Sequence, residues 1–451
     1  MAFIRKIKKK SGTYLALVES KWENGRSRQH VIKYLGKEID GKPVKRILSS
    51  NIRVKKVTRH LDVEIIDHIA EELGLKELVP KEILILVYAQ ILERPSINKM
   101  EEWLKETDIL EILGINEINT LQLYRAIEDF SNKDFEIIEE RIYELLRKYD
   151  LKKSYVIDIT DTYFEGKKVE GYARRGKEGK VKKLVQIGLA VTFDKGFPIF
   201  HKTFDGNISS KRIFSEMITR LLYMGFETII LDRGFYTSKN IEEIENIGKK
   251  MICGVVKDKS LRPIVLGIKR DEIYRKENMV KLKNTTVYIK GIRYKKGRLI
   301  IVYNPQIEVI RRERYYEHSD NEEIASMLGY SLIYHNTEYE DKEVVKKYFE
   351  KDIVEKAFKE MKGILNLRPV RLWLRTHIES HIKICYLGYV ILSYMQYKIR
   401  SEGISVVEAL EELRKGYRVE LKDEETGFNW GITVELSLAQ EKIRNLVYKN
   451  I

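Results

Sequence analysis

Two aspartates stand where the chain is most apolar. Asp158 lies within Val156-Ile157-Asp158-Ile159-Thr160, and Asp232 closes Thr228-Ile229-Ile230-Leu231-Asp232. Such neighbours predict a buried strand around each. A carboxylate in that setting loses its hydration, so hydrogen bonds, a cation or a proton must compensate. Asp232 falls where its strand meets Arg233 and Gly234, and α/β sheets gather their active sites at strand ends. Taken singly, each aspartate also reads as a satisfied structural residue or a helix cap. A third carboxylate lies on a predicted helix. Counting about 100° per residue from Tyr348 puts Lys351, Glu355 and Lys362 within about 60° of it, on one narrow face. Ile353, Val354, Ala357 and Met361 fall on the other side, with Phe358 at the border. Spacing alone makes Lys351 and Glu355 an i,i+4 ion pair on a solvated face.

The elements that must hold these residues follow from local pattern. Gly12–Val18 and Gln29–Tyr34, joined through Glu23-Asn24-Gly25, predict a basic β-hairpin region over residues 1–56. Residues 57–150 turn helical, as in Ile83–Leu92, Lys99–Leu104 and Phe135–Leu146. This module reads either as a DNA-end-binding unit or as plain helical support. Within 151–258, strands at Ser154–Thr160, Val185–Phe193 and Ile199–Phe204 precede a helix near Ser210–Met224. Strand Thr228–Leu231, a helix near Ser238–Gly248 and strand Met251–Val256 follow. That order is expected of an RNase H-like sheet, an antiparallel meander continued by parallel units. Thr285–Ile289 and Arg298–Tyr303 predict a β-rich insertion over 259–340, with a charged stretch at Arg311–Arg314. Residues 341–451 supply the C-terminal helices of the core and a tail, with a break at Gly363–Pro369. The expected fold class is α/β: an RNase H-like mixed sheet flanked by helices, with a β-rich insertion, an N-terminal basic β-hairpin and a helical module.

Composition narrows the partners. A chain of 451 residues, 43% hydrophobic with 7 Pro, buries a large core and is not disordered. Its net charge of +15 favours polyanions. Residues 1–60 hold roughly 17 Lys and Arg against about 4 acidic residues, which is nearly all of the excess. Cys253 and Cys385 have no Cys or His neighbours at metal spacing, which excludes a disulfide framework and a zinc ribbon. No apolar run reaches the roughly 18 residues that span a bilayer, and the basic start lacks the apolar stretch of a signal peptide. A soluble cytoplasmic protein without a membrane partner is expected.

The same residues carry a family resemblance. Tyr348, Lys351, Glu355 and Lys362 match the spacing of the signature that ends the DDE domain of insertion-sequence type 4 transposases: Tyr, two residues, Arg, three residues, Glu, six residues, Lys. Lys351 stands where the signature has Arg. The chain also resembles that family in VIDITDTYFEG around Asp158, FDGN at Phe204–Asn207, LDRGF at Leu231–Phe235, and RPV followed by His381. Upstream, ERPS from Glu93 and LYRAI from Leu123 share it. The resemblance implies a catalytic and metal-binding triad of Asp158, Asp232 and Glu355, with Tyr348, Lys351 and Lys362 on DNA phosphates. Lys keeps the charge of Arg but lacks its bidentate fork. Some relatives stack a flipped base on a Trp of the insertion, whereas Trp22, Trp103, Trp373 and Trp430 lie outside it, which leaves a hairpin intermediate open.

The implied chemistry is phosphodiester cleavage and strand transfer. Two divalent ions about 3.5–4 Å apart activate a nucleophile and offset the charge on the phosphoryl group. Hard oxygen donors suit Mg²⁺ or Mn²⁺. Double-stranded DNA is the expected partner, both element terminal inverted repeats and target, with a homodimer in the synaptic complex. The basic N-terminal region and Arg174, Arg175 and Lys177, in a loop that runs to Lys183, are expected to contact phosphates. Asp161, Asp205 and Asp352 are lesser candidates for the triad, and His377 with His381 is a metal pair lacking a third ligand. Two rival functions share these carboxylates or the basic charge: another RNase H-like nuclease of the resolvase type, and an inactive transposase-derived DNA-binding protein.

Overall fold

The computed structural model describes residues 2–9, 12–23, 26–39, 42–44, 52–149, 152–163, 174–177, 180–367, 372, 374–424 and 427–449. The chain forms two compact units, Met1–His60 with Gly416–Glu435, and Leu61–Lys415 with Leu436–Ile451.

In the first unit the expected hairpin is the centre of something larger. β1 (Ala2–Lys9), β2 (Gly12–Glu23), β3 (Arg26–Ile39) and β4 (Lys42–Val44) form one four-stranded antiparallel sheet in that order. The Lys- and Arg-rich start of the chain is therefore a strand. β5 (Ile52–Arg59) pairs antiparallel with a strand from near the other end of the chain, Tyr417–Asp423, which pairs in turn with Asn429–Thr433. Residues 416–435, read from sequence as part of the C-terminal tail, thus belong with the N-terminal unit.

The second unit is built on one ten-stranded sheet. Its strands are β6 (Ser154–Tyr163), β7 (Arg174–Lys177), β8 (Lys180–Thr192), β9 (Pro198–Asp205), β10 (Thr228–Leu231), β11 (Lys250–Val255), β12 (Met279–Lys281), β13 (Thr286–Tyr294), β14 (Gly297–Tyr303) and β15 (Tyr330–His335). β6, β8 and β9 form an antiparallel meander, and β10 runs parallel to both β6 and β11. The order β9-β8-β6-β10-β11 is that of an RNase H-like sheet.

One expectation changes here. The stretch read as a loop from Arg174 to Lys183 pairs as a hairpin, Arg174–Lys177 against Lys180–Lys183. The β-rich insertion is built onto the same sheet: β15 pairs antiparallel with β11, and β14, β13 and β12 continue outward. Without β15, the apolar strand Met251–Val255 would be an unprotected edge. The charged stretch Arg311–Arg314 lies in a helix, Pro305–Tyr316, capped by the Asn304 side chain with Pro305 in its first turn.

The sheet separates two cores because alternate residues face opposite sides. Tyr155, Ile157, Ile229, Leu231, Met251 and Cys253 face one core, with helices Ser210–Tyr223 and Ser238–Asn246. Val156, Ile230, Ile252, Ile300 and Ile333 face the other. That second core contains helix Asp352–Gly363 and the long helix Arg375–Ile399, most of whose residues are buried. Helices Leu61–Glu72, Lys81–Leu92 and Thr120–Ser131 pack on the long helix, so the helical module and the ten-stranded sheet share one core. At 25 residues Arg375–Ile399 has the length of a membrane span, yet no helix among the described residues is both long and apolar enough to cross one.

A buried polar pair ties the module to the meander. Glu139, on helix Phe135–Leu146, accepts from the backbone N–H of His201 at 2.9 Å and bonds its Nδ1 at 2.7 Å. Burial pushes the Glu139 carboxyl up, and the His201 bonds and the charge of Arg220 oppose it. Glu139→Ala is therefore expected to destabilise the second unit by about 3 kcal/mol, since it strands a buried N–H and an imidazole. Urea denaturation checks this, and a loss under about 1 kcal/mol would show that the pair is not the tie.

Candidate active site

Strand register alone places two of the carboxylates together. β10 pairs with β6 so that Leu231 sits opposite Ile157, and the next residue on each chain is an aspartate. Adjacent strands lie about 4.8 Å apart. Alternation turns Asp158 to the face of Val156, and Asp232 continues the face of Ile230, so both look toward the core that holds helix Asp352–Gly363.

The helix supplies Glu355, by a route the sequence reading missed. Tyr348 and Glu355 are not on one continuous helix: Asp341–Phe349 ends, and Asp352–Gly363 begins after Glu350 and Lys351. Across this joint the N–H groups of Lys351, Ile353 and Val354 bond to carbonyls three residues back, at 3.3–3.4 Å. Such tightened turns have about 3.0 residues per turn, which brings residues i and i+3 into line. Lys351 therefore lies nearly over Tyr348, its ammonium 5.5 Å from the ring centroid, and both reach Asp232. The Tyr348 hydroxyl donates to Asp232 Oδ1 at 3.2 Å, and Lys351 Nζ lies 3.2 Å from the same oxygen and 3.6 Å from Glu355 Oε1. Val354, Ala357, Phe358 and Met361 are buried on the opposite side of the helix, Phe358 included.

The electrostatics separate the two aspartates. Burial pushes the Asp158 carboxyl up to about 6; the N–H of Ile159 and the Lys351 ammonium oppose this, and the charges of Asp232 and Glu355 reinforce it. Burial also raises Asp232, but Lys351, the Arg233 N–H and the Tyr348 hydroxyl outweigh it and hold the group below the usual carboxylate range. Lys362, the last signature residue, hydrogen-bonds Thr160 Oγ1, two residues along β6 from Asp158. Arg174, Arg175 and Lys177 have a described backbone in β7, and their side chains lie outside the described residues.

Three hard carboxylates whose fields reach one another suit a divalent cation by donor chemistry. Among the described residues, no group of three or more His, Cys, Asp or Glu is drawn close enough to hold a metal ion. The Asp232 and Glu355 side chains are 48% and 63% exposed. The lesser candidates have other work. Asp352 pairs with Lys356 at 3.0 Å, Asp205 with Arg375 at 3.7 Å, and His377 with Glu128 at 3.2 Å. His381 is buried beside Cys385, and burial lowers its pKa to about 4.

One residue of the site carried no signal in the sequence reading. The register that sets Leu231 against Cys253 brings Gly254 beside Asp232. A Cβ at Gly254 would stand 2.1 Å from the Tyr348 hydroxyl oxygen and 3.1 Å from the Arg233 N. The missing side chain is the space through which Tyr348 reaches Asp232. A lone glycine in an apolar strand suggests close backbone approach, but not to what.

Two outcomes follow from this geometry. Gly254→Ala is expected to cost about 1–3 kcal/mol of stability through overpacking, and adding Tyr348→Phe should recover part of it in thermal melts. If the second substitution recovers nothing, Tyr348 is not what Gly254 accommodates. For Asp158, the fold raises the pKa from 3.8 to about 6 and so favours the protonated form. Its contribution to stability is full below about pH 4 and is lost as the pH rises through 6. In EDTA, Asp158→Asn is therefore expected to be nearly neutral at pH 4 and stabilising by on the order of 2–3 kcal/mol at pH 7.5. Equal effects at both pH values in urea denaturation would contradict a desolvated carboxylate there.

Comparison with known proteins adds the family. Among curated proteins none matches the chain. Among solved structures, one similar to it is a piggyBac transposase in a synaptic complex with hairpin DNA, with 12% identity and a TM-score of 0.43, covering 86% of this chain and 76% of that one. The family model described as the transposase DDE domain matches residues 151–391, over half of the chain and the whole span from β6 to the long helix. The chain belongs to the DDE-domain transposase family.

Proposed function

We propose that the chain is a DNA transposase of the insertion-sequence type 4 group, which cleaves at the ends of its element and joins them to target DNA. The observation that supports this reading is the convergence of Asp158 in β6, Asp232 just after β10 and Glu355 on the facing helix, with Lys351 bonded to the last two and its charge reaching the first, inside the matched domain. In this reading Asp158, Asp232 and Glu355 would hold two Mg²⁺ or Mn²⁺ ions. The ions, when bound, activate water or a 3'-hydroxyl and offset charge on the scissile phosphate.

The remaining roles belong to the chain. The Tyr348 hydroxyl orients Asp232, while Lys351 and Lys362 supply positive charge for the phosphates beside the cut. The Arg174, Arg175 and Lys177 strand and the basic first unit hold the backbone of double-stranded DNA without reading its sequence. Their affinity falls steeply with salt. Terminal inverted repeats are recognised by the helical module, two ends are held by a homodimer, and the reaction takes place in the cytoplasm.

The test is joining of a donor fragment, carrying the inverted repeats that flank the gene, into a supercoiled plasmid with Mg²⁺ or Mn²⁺. Asp158→Asn, Asp232→Asn and Glu355→Gln are each expected to lower joining by about 10²–10³-fold while gel-shift binding of the fragment is kept. Full activity of Asp232→Asn removes that residue from the set. Cutting of branched junctions without joining favours a resolvase, and binding with no cutting by the natural chain favours an inactive descendant.

A further inference from the structure

In this structure the positive charge among the carboxylates belongs to the chain itself. Lys351 Nζ stands 3.2 Å from Asp232 Oδ1 and 3.6 Å from Glu355 Oε1, so one ammonium spans an acid from the end of β10 and an acid from the helix. The lysine side chain is only 15% exposed, whereas its partners are about half exposed or more. It is thus the lysine that is fixed, by the tightened turn beneath it and by the Tyr348 ring beside it. Its field also reaches Asp158.

A magnesium ion needs such carboxylate oxygens at about 2.0–2.1 Å. An ammonium held on the same Asp232 oxygen would then stand within about 5 Å of the ion, where two positive charges repel strongly. The lysine arrangement and the loaded arrangement therefore compete for the same carboxylates. We infer that Lys351 is a built-in place-holder for the divalent cation: it neutralises Asp232 and Glu355 until the ion enters, and is then expelled. The inference rests on Asp232 and Glu355 being the metal ligands proposed above.

Two consequences follow. The place-holder keeps the carboxylates from repelling one another before the ion arrives, so the site can be folded in advance. Expulsion then swings a charged head on a four-carbon stem away from the acids, where it is available to a phosphate, so metal entry arms that contact. Lysine suits this double duty better than the arginine of the resembled signature. A compact ammonium meets each acid through single bonds and leaves, whereas a guanidinium grips a carboxylate with two parallel bonds.

The experiment is Mn²⁺ titration calorimetry on the DNA-free full chain at pH 7.5, with melts in EDTA. Lys351→Met is expected to bind Mn²⁺ roughly three- to tenfold more tightly than the natural chain. It should also melt lower in EDTA and gain more from added Mn²⁺, while Lys351→Arg binds no more tightly than the natural chain. Lys362→Met removes an equal charge from Thr160 and should tighten binding less. If Lys351→Met binds no more tightly, or Lys362→Met tightens it equally, the place-holder is overturned. Asp232→Asn and Glu355→Gln separate the two ideas: if both bind Mn²⁺ like the natural chain, the ligand reading fails, whatever Lys351 does.

Discussion

Like charges that must share a site govern the design of the second unit. Carboxylates on adjoining strands and a facing helix repel one another, and partial burial removes the water that would screen them. The fold answers with unequal environments. Asp158 is half-buried and pushed toward its neutral form by lost hydration, whereas Asp232 is held charged by an ammonium, a backbone N–H and a hydroxyl. One acid of the pair is thus a reluctant anion and the other a stable one, a division imposed by position and not by residue type.

That division depends on backbone features with no charge at all. The parallel register sets the residues after Ile157 and Leu231 side by side, and the same register puts a glycine next to them on β11. Opposite the sheet, the joint at Glu350–Lys351 changes the helical phase so that Tyr348 and Lys351 point at one oxygen. Both cores anchor these pieces. Tyr155, Ile157 and Leu231 are locked on one face of the sheet, and Val354, Ala357 and Met361 on the other. Packing on both sides leaves the strand ends little freedom to relax away from one another.

Much of this was legible in local sequence. Thr228–Leu231 and Phe135–Leu146 have the bounds their patterns predict, because short apolar runs and i,i+3/i+4 periodicity are local signals. What could not be read is of two kinds. Pairing between distant segments leaves no local mark, so neither the union of β5 with Tyr417–Asp423 nor the docking of β15 on β11 was visible. Small departures from ideal geometry are also silent. A straight helix from Tyr348 predicted the right face for Lys351 and Glu355 but not the tightened joint that makes Lys351 meet Asp232. Gly254 carried no indication of the tyrosine that fills its space.

The closure of β5 by Tyr417–Asp423 and Asn429–Thr433 bears on how the protein is made. During synthesis β5 emerges more than 350 residues before its partner, with its hydrogen-bonding edge unmet throughout. The four strands of the first sheet are local and can pair at once, while the three-stranded sheet must wait until residues 417–433 have been translated. Only β5, with Arg53, Lys55, Lys56 and Arg59, is therefore completed after every residue of the acidic cluster has been translated.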